Sequence, residues 1–400
     1  MPIVASALSV AGVVAFHEAG HFLAAKMFGV KIDSYNIGYG PKLLSVNDSR
    51  GTEFALRAIP LGGYVAFPSN VEIDDNGDVI RELDDPDLLQ NRPPLQRAWV
   101  ISAGVLANIL LTLSLASGTA YTTGIGRPIY NDGIVVTSVS NLQSPGYKAG
   151  LRTNDVIASV NGAKVLGSES TVESFVGTIR ANPDKPVALE VIRSGSDPTS
   201  ARSERLKIKV VPQPSGPGGK GAIGVGVNSR IDRVESLKAH NFIEALTIGG
   251  AETWRLVTFT WSAFSKSISS GGVGAEVGGP ISVVKAGAEM AQVSPQALVG
   301  FAATLSVNLA LLNALPFPAL DGGQLVFVLI EAVARRPVPR GIKNVLTGLA
   351  FSSLLLLGAY TLIGDVSKLG EGAQFGVLQK VPPTDVVVPA AKSPLKLPPL

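Results

Sequence analysis

Four long, nearly uncharged runs constrain this chain more than any other feature. From Met1 to Ala25 the only formal charge is Glu18. Between Arg97 and Arg127 lie 29 uncharged residues, between Glu289 and Asp321 lie 31, and between Lys343 and Asp365 lie 21. A helix that crosses a bilayer needs about 20 apolar residues, so each run is long enough. Only 16% of the 400 residues are charged and the mean hydropathy is +0.31, whereas a soluble domain carries about 25% charged residues. The expectation is a polytopic α-helical membrane protein with about four transmembrane helices.

The segments between the runs set the expected organisation. Residues 1–127 form a first membrane part and 289–366 a second. Residues 128–215 read as an inserted α+β domain, because the short runs "GIVVTSV", "DVIASVNG", "PVALEVIRSG" and "RLKIKVVPQP" alternate with Gly, Asn, Pro and Ser turn signals. Residues 170–180 read as its amphipathic helix. "PSGPGGKG", 214–221, reads as a flexible linker within a connecting segment 216–288. In that segment Trp254, Val257, Trp261, Phe264 and Ile268 recur at helical spacing, beside Glu244, Glu252, Arg255 and Lys266. This suits a helix lying in the membrane interface; a fifth span is the alternative. Residues 367–400 are rich in proline towards their end and read as a disordered tail. The first run has no basic start and carries His17 and Glu18 in its middle, so it does not read as a cleavable signal peptide. Lys and Arg cluster in 26–97 and 335–343, which the positive-inside rule places on the cytoplasmic side or its topological equivalent.

Composition excludes several classes. The net charge is +3 and no dense Lys/Arg block with interleaved aromatics occurs, so no nucleic-acid partner is expected. The chain has no cysteine, which rules out disulfides, thiolate metal sites and a cysteine nucleophile. Its three histidines are His17, His21 and His240.

Two of those histidines stand in "FHEAGH", residues 16–21. Positions i and i+4 of a helix share a face, so His17 and His21 can aim both imidazoles at one ion. Zinc lowers the pKa of its water to about 7, and Glu18 can then act as general base. Ionisable residues inside a membrane span are costly and functional by default. A third ligand is required, and the chemistry offers Asp321 in "LNALPFPALDGG". Pro316 and Pro318 break the helix there, which membrane depth tolerates only against protein or water. A helix-capping role for Asp321 stays open at this point.

"HEAGHFLAAKMFGVKIDSYNIGYGP", "RAIPLGGYVAF", "SAGVLAN", "GGPISVVKAGAE" and "NALPFPALDGGQLVFVLIEAV" together resemble the site-2 proteases, which include the bacterial regulator-of-sigma-E proteases. The resemblance implies an intramembrane zinc metalloendopeptidase in which His17, His21 and Asp321 bind zinc and Glu18 is the catalytic base. It implies membrane-spanning substrates, single-span and already shortened by another protease, within the lipid bilayer. Asn313 and Pro316 fall where the family pattern lies beside substrate; stabilising the kink is the other reading of Asn313. "AGVLAN" resembles the family's "AGPxxN", with Val105 in place of Pro, and Asn108 either donates to an oxyanion or bonds between helices. "IPLGGYV", 59–65, reads as a hairpin that receives an extended substrate. Residues 144–165 resemble a PDZ domain, with Asn154 where Gly is usual. "NRPPLQRAWVISAGVLAN" is similar to cyanobacterial and plastid members, which implies a bacterial inner membrane or a plastid membrane. An inactive zinc-binding scaffold with a PDZ recruitment domain is the alternative function.

Overall fold

The computed structural model describes residues 1–73, 79–194, 203–215, 219–269 and 278–370. The chain opens with α1 (Pro2–Met27), followed by β1 (Ser34–Asn47), β2 (Glu53–Ala66), β3 (Val71–Ile73), β4 (Val79–Glu82) and α2 (Pro94–Thr122). Next come β5 (Ile125–Val139), α3 (Pro145–Lys148), β6 (Val156–Val160), β7 (Ala163–Lys164), α4 (Thr171–Arg180), β8 (Val187–Ser194) and β9 (Ser203–Val210). Then follow β10 (Gln213–Ser215), β11 (Lys220–Ala222), β12 (Val225–Leu237) and α5 (Phe242–Ser269). The chain closes with α6 (Pro280–Val293), α7 (Pro295–Ala314), α8 (Asp321–Ala334) and α9 (Arg340–Gly370). Two compact units result: 1–113 with 253–400, and 114–252.

Among the described residues, four helices are long and apolar enough to cross a membrane: α1, α2, α7 and α9. They correspond to the four uncharged runs, with two boundaries changed. Glu289 does not border the third span. It lies on α6, and the chain breaks at Ser294, whose hydroxyl accepts from the Ala297 N–H and caps α7. Asp365 does not end the fourth span either. It is buried in α9 and accepts from the Gly279 N–H, the Ser282 N–H and the Ser282 hydroxyl, tying α9 to the start of α6. Small residues let these helices approach, as membrane packing requires. Gly287 of α6 faces Ser6 of α1, whose hydroxyl donates to Val284 O.

The hairpin expected at 59–65 is far longer. β1 and β2 pair antiparallel and each folds back on itself, so residues 34–37 pair with both 53–56 and 63–66. The bends fall at Gly38, Gly40 and Gly62, with φ of 87°, 84° and 102°. That left-handed region favours glycine. Phe22 of α1 stacks edge-on against Tyr35 and Phe54, at 5.7 and 5.4 Å. The Tyr35 hydroxyl donates to Ala15 O. These contacts hold the hairpin on one face of α1.

The second unit is built on a six-stranded sheet ordered β12-β5-β6-β8-β9, with β7 beside β6. Its core is Ile134, Val136, Leu151, Ile157, Leu189, Val191 and Val210, closed by Phe175 and Ile179 of α4. Asn154 has φ 70°, a left-handed conformation that Asn tolerates. The sheet extends beyond Ser215, where the sequence reading placed a linker. Either side of 216–218, which lie outside the described residues, the chain pairs as β10 with β11. β12 then pairs with β5 along its whole length. Residues 242–268 are helical, as α5, which is not among the four helices apolar enough to span. Residues 367–370 continue α9, and the rest of the expected tail lies outside the described residues.

Candidate metal centre

The two histidines of α1 and the aspartate that opens α8 meet. His17 Nε2 and His21 Nε2 lie 3.3 Å apart, and each is 3.2 Å from Asp321 Oδ2. Among the described residues, these three form the group of His, Asp and Glu side chains close enough to share an ion. Their spacing is a direct test of fit. Bonds of 2.0–2.1 Å at tetrahedral angles separate ligand atoms by about 3.3 Å, the spacing zinc requires. Asp321 Oδ2 is buried and receives no well-formed hydrogen bond, although two imidazole nitrogens face it. Three acceptors crowded around one point repel one another unless a cation sits between them. The donor set of two imidazoles and one carboxylate suits zinc.

Each candidate ligand is placed by a local device. His17 and His21 share a face of α1 by their spacing. α7 ends at Ala314 because Pro316 and Pro318 cannot continue it. The chain then returns tightly: the Phe317 N–H donates to Leu315 O, and Gln324 Nε2 donates to Pro318 O. A Cβ at Gly322 would collide with Leu315 O and one at Gly323 with Phe317 O, so the two glycines permit the turn that presents Asp321. Leu320, not Asp321, is the N-cap of α8, and Asp321 occupies the first turn with its side chain on the histidines.

The imidazoles are held from behind by α2. His21 Nδ1 donates to the Val100 carbonyl at 2.8 Å, which leaves the Nε2 lone pair free for an ion. His17 Nδ1 lies 3.1 Å from the Asn108 amide nitrogen. Between them a Cβ at Gly104 would strike His21 Nε2, and a Cβ at Gly20 would strike the Ala103 carbonyl. Val100, Gly104 and Asn108 are one turn apart on one face of α2. The sequence reading missed Val100, because a backbone carbonyl leaves no residue-type signal. It passed over Gly104 and Gly20 although the i, i+4 spacing of Gly104 and Asn108 was visible. With Val105 in place of Pro, α2 runs unbroken.

A cavity of about 570 Å³ opens on the centre, lined by Glu18, Tyr39, Gly63, Tyr64, Asn313 and Gln324, among others. Glu18 Oε2 accepts from the Val65 N–H of the hairpin at 3.0 Å. The Asn313 amide nitrogen lies 3.5 Å from His17 Nε2. Neither Pro316, read from sequence as substrate-binding, nor Asn108, read either as an oxyanion donor or as a bond between helices, is on this wall. Asn108 is fully buried behind the His17 ring, and Pro316 serves the break after α7.

Comparison with known proteins identifies the family. The model of "Peptidase family M50" matches residues 5–357. A Synechocystis sp. protein named as a zinc metalloprotease is 37% identical over 371 residues, 92% of this chain and 96% of its own length. A Nostoc sp. protein named in the same way is 34% identical over 370 residues, 92% of this chain and 97% of its own. Membrane metalloprotease ARASP, chloroplastic, of Arabidopsis thaliana is 31% identical over 366 residues, 89% of this chain and 77% of its own. With four apolar helices among its described residues and a candidate two-histidine, one-aspartate centre, the chain belongs to peptidase family M50 and is an integral-membrane zinc metalloprotease.

Proposed function

We propose that this protease cleaves membrane-spanning substrates within the bilayer, with His17, His21 and Asp321 as its zinc ligands and Glu18 as its general base. The observation that carries the reading is the placement of the centre. His17 and His21 lie inside α1, a helix of spanning length, and Asp321 follows the broken end of α7, another such helix. A zinc ion held there supplies Lewis acidity and lowers the pKa of water. Glu18 faces the same cavity and is oriented by the Val65 N–H. It takes the proton from the attacking water and returns it to the leaving amine. Asn313, with its amide beside the centre, donates to the oxygen that gains charge as the peptide carbonyl is attacked.

A transmembrane helix shields its own peptide bonds, so the substrate must unwind first. The hairpin edge at 63–66 lies beside Glu18 and offers backbone partners to an extended segment. The substrates are proposed to be single-span proteins already shortened by another protease. The sheet unit is proposed to be PDZ-like. A groove beside β12 and α4, lined by Val176, Ile179, Gly224 and Val225, is where it would take a peptide or screen substrates by size.

The test is cleavage of a tagged transmembrane substrate in liposomes by wild type, Glu18→Gln and wild type with a zinc chelator. Cleavage by untreated wild type alone is expected. Equal cleavage by Glu18→Gln overturns the base assignment. Stoichiometric zinc with no cleavage of any transmembrane substrate favours the scaffold reading instead.

A further inference from the structure

The two imidazoles differ in how their outer nitrogens are held. His21 Nδ1 faces a carbonyl, which can only accept, so His21 is fixed with its proton on Nδ1. His17 Nδ1 faces the side-chain amide of Asn108, placed with its nitrogen at 3.1 Å. In that orientation the amide donates, Nδ1 must carry the lone pair, and the proton of neutral His17 sits on Nε2. A protonated Nε2 cannot ligate a metal. The Asn108 oxygen is meanwhile fully buried with no partner. The two orientations of an amide differ only in which atom is labelled nitrogen. Turning Asn108 over leaves one orphan end in either case, so the hydrogen-bond count does not choose between them. The metal centre does, because only an oxygen at this position accepts the Nδ1 proton.

We infer that Asn108 is a positioning residue for zinc: its side-chain oxygen accepts from His17 Nδ1–H and fixes the tautomer that presents Nε2 to the metal, as the Val100 carbonyl does for His21. α2 thus forms a rail behind the ligands. Val100 and Asn108 hold one ring each, and Gly104 between them gives the rings room. The inference rests on the zinc reading of the centre. Asn108 is suited to this by what fixes it. Its backbone carbonyl accepts from the Thr112 and Ser306 hydroxyls, so the helix is anchored independently of the side chain.

The test is zinc affinity, measured by chelator competition on the full chain in detergent, with thermal unfolding of the zinc-free protein as a check on folding. Asn108→Ala is expected to lower zinc affinity by about 10–100-fold. Asn108→Asp, which has an oxygen at either end, is expected to hold zinc at least as tightly as wild type. Thr112→Val, which removes a contact to the carbonyl and spares the side chain, is expected to leave affinity unchanged. Asn108→Ala with wild-type affinity overturns the inference, and so does Asn108→Asp failing as badly as Asn108→Ala. Wild type that holds no zinc overturns the metal reading and this inference with it. If the Asn108 variants do not fold, zinc-loaded wild type with ¹⁵N-labelled histidine decides, since only three histidines need assigning. A His17 Nδ1 proton that exchanges with water as slowly as that of His21 supports the inference; one exchanging tenfold faster or more overturns it.

Discussion

The two units of this protein bury different kinds of side chain. In the sheet unit the fully buried set is large and aliphatic: Ile134, Leu151, Ile157, Leu189 and Val191. In the helical unit the buried set is richer in small and polar residues, among them Ala25, Ser6, His17, Asn36, Asn108, Thr112 and Ser306, beside Val100, Val307, Phe327 and Val328. Many leucines of its spanning helices point outward instead; Leu355 of α9 and Leu110 of α2 are both more than half exposed. Water drives large apolar groups inward in the first case. In the second, lipid is as apolar as leucine, so helices gain by close approach and by interhelical hydrogen bonds. A polar residue buried in the helical unit therefore owes its place to packing or chemistry, and the two histidines of the candidate metal centre belong to that set.

The comparison can be broken at several points, and the largest effect belongs to the metal. Asp321→Ala should abolish zinc binding, measured as metal per chain, and all cleavage with it. It should leave hydrogen exchange in the sheet unit unchanged. Glu18→Gln should lower the cleavage rate by about 10²–10⁴-fold with zinc content intact; zinc loss in this variant would show that Glu18 supports the centre rather than the chemistry. In the sheet unit Asp155 is buried and takes two hydrogen bonds from the Arg193 guanidinium and one from the Arg152 N–H. Asp155→Ala should cost about 3–5 kcal/mol, read as faster exchange of β6 and β8 amides in the full chain, while zinc stays bound.

The sharpest contrast pairs two leucines. Leu189→Ala empties part of the sheet core and should cost about 2–5 kcal/mol. Leu355→Ala on α9 should cost less than about 0.5 kcal/mol in a bilayer, where lipid fills the space. Equal costs would place Leu355 against protein and would redraw the lipid-facing surface of α9.

The sequence made the helical unit legible because its signals are residue types at fixed spacing. The uncharged runs, the two histidines four apart and the Pro-broken stretch before Asp321 all survive without coordinates of any kind. The devices that aim those residues do not. The Val100 carbonyl, the Val65 N–H on Glu18 and the clearance at Gly104 belong to the backbone. No side chain advertises them. β12 was missed for a different reason. "VGVNSRIDRVESL" lacks the apolar density of a core strand, because most of it is an exposed sheet edge held by backbone pairing with β5. Pro316 was placed with substrate, and Asn108 was left between an oxyanion donor and a bond between helices, because residue type alone does not tell which side of the histidines a group occupies.

The distance along the chain between the metal ligands has a consequence for biosynthesis. His21 and Asp321 are 300 residues apart (321 − 21). At about 5–20 residues per second, the ribosome delivers the aspartate some 15–60 seconds after the histidines, by which time α1, α2 and the sheet unit have been made. On the proposed ligand set, the nascent chain carries two of three ligands in its first helix and no means of closing the site. It stays inert towards neighbouring membrane proteins, and towards itself, until its own third span has entered the membrane. Late arrival of one carboxylate thus acts as a built-in timer on the protease.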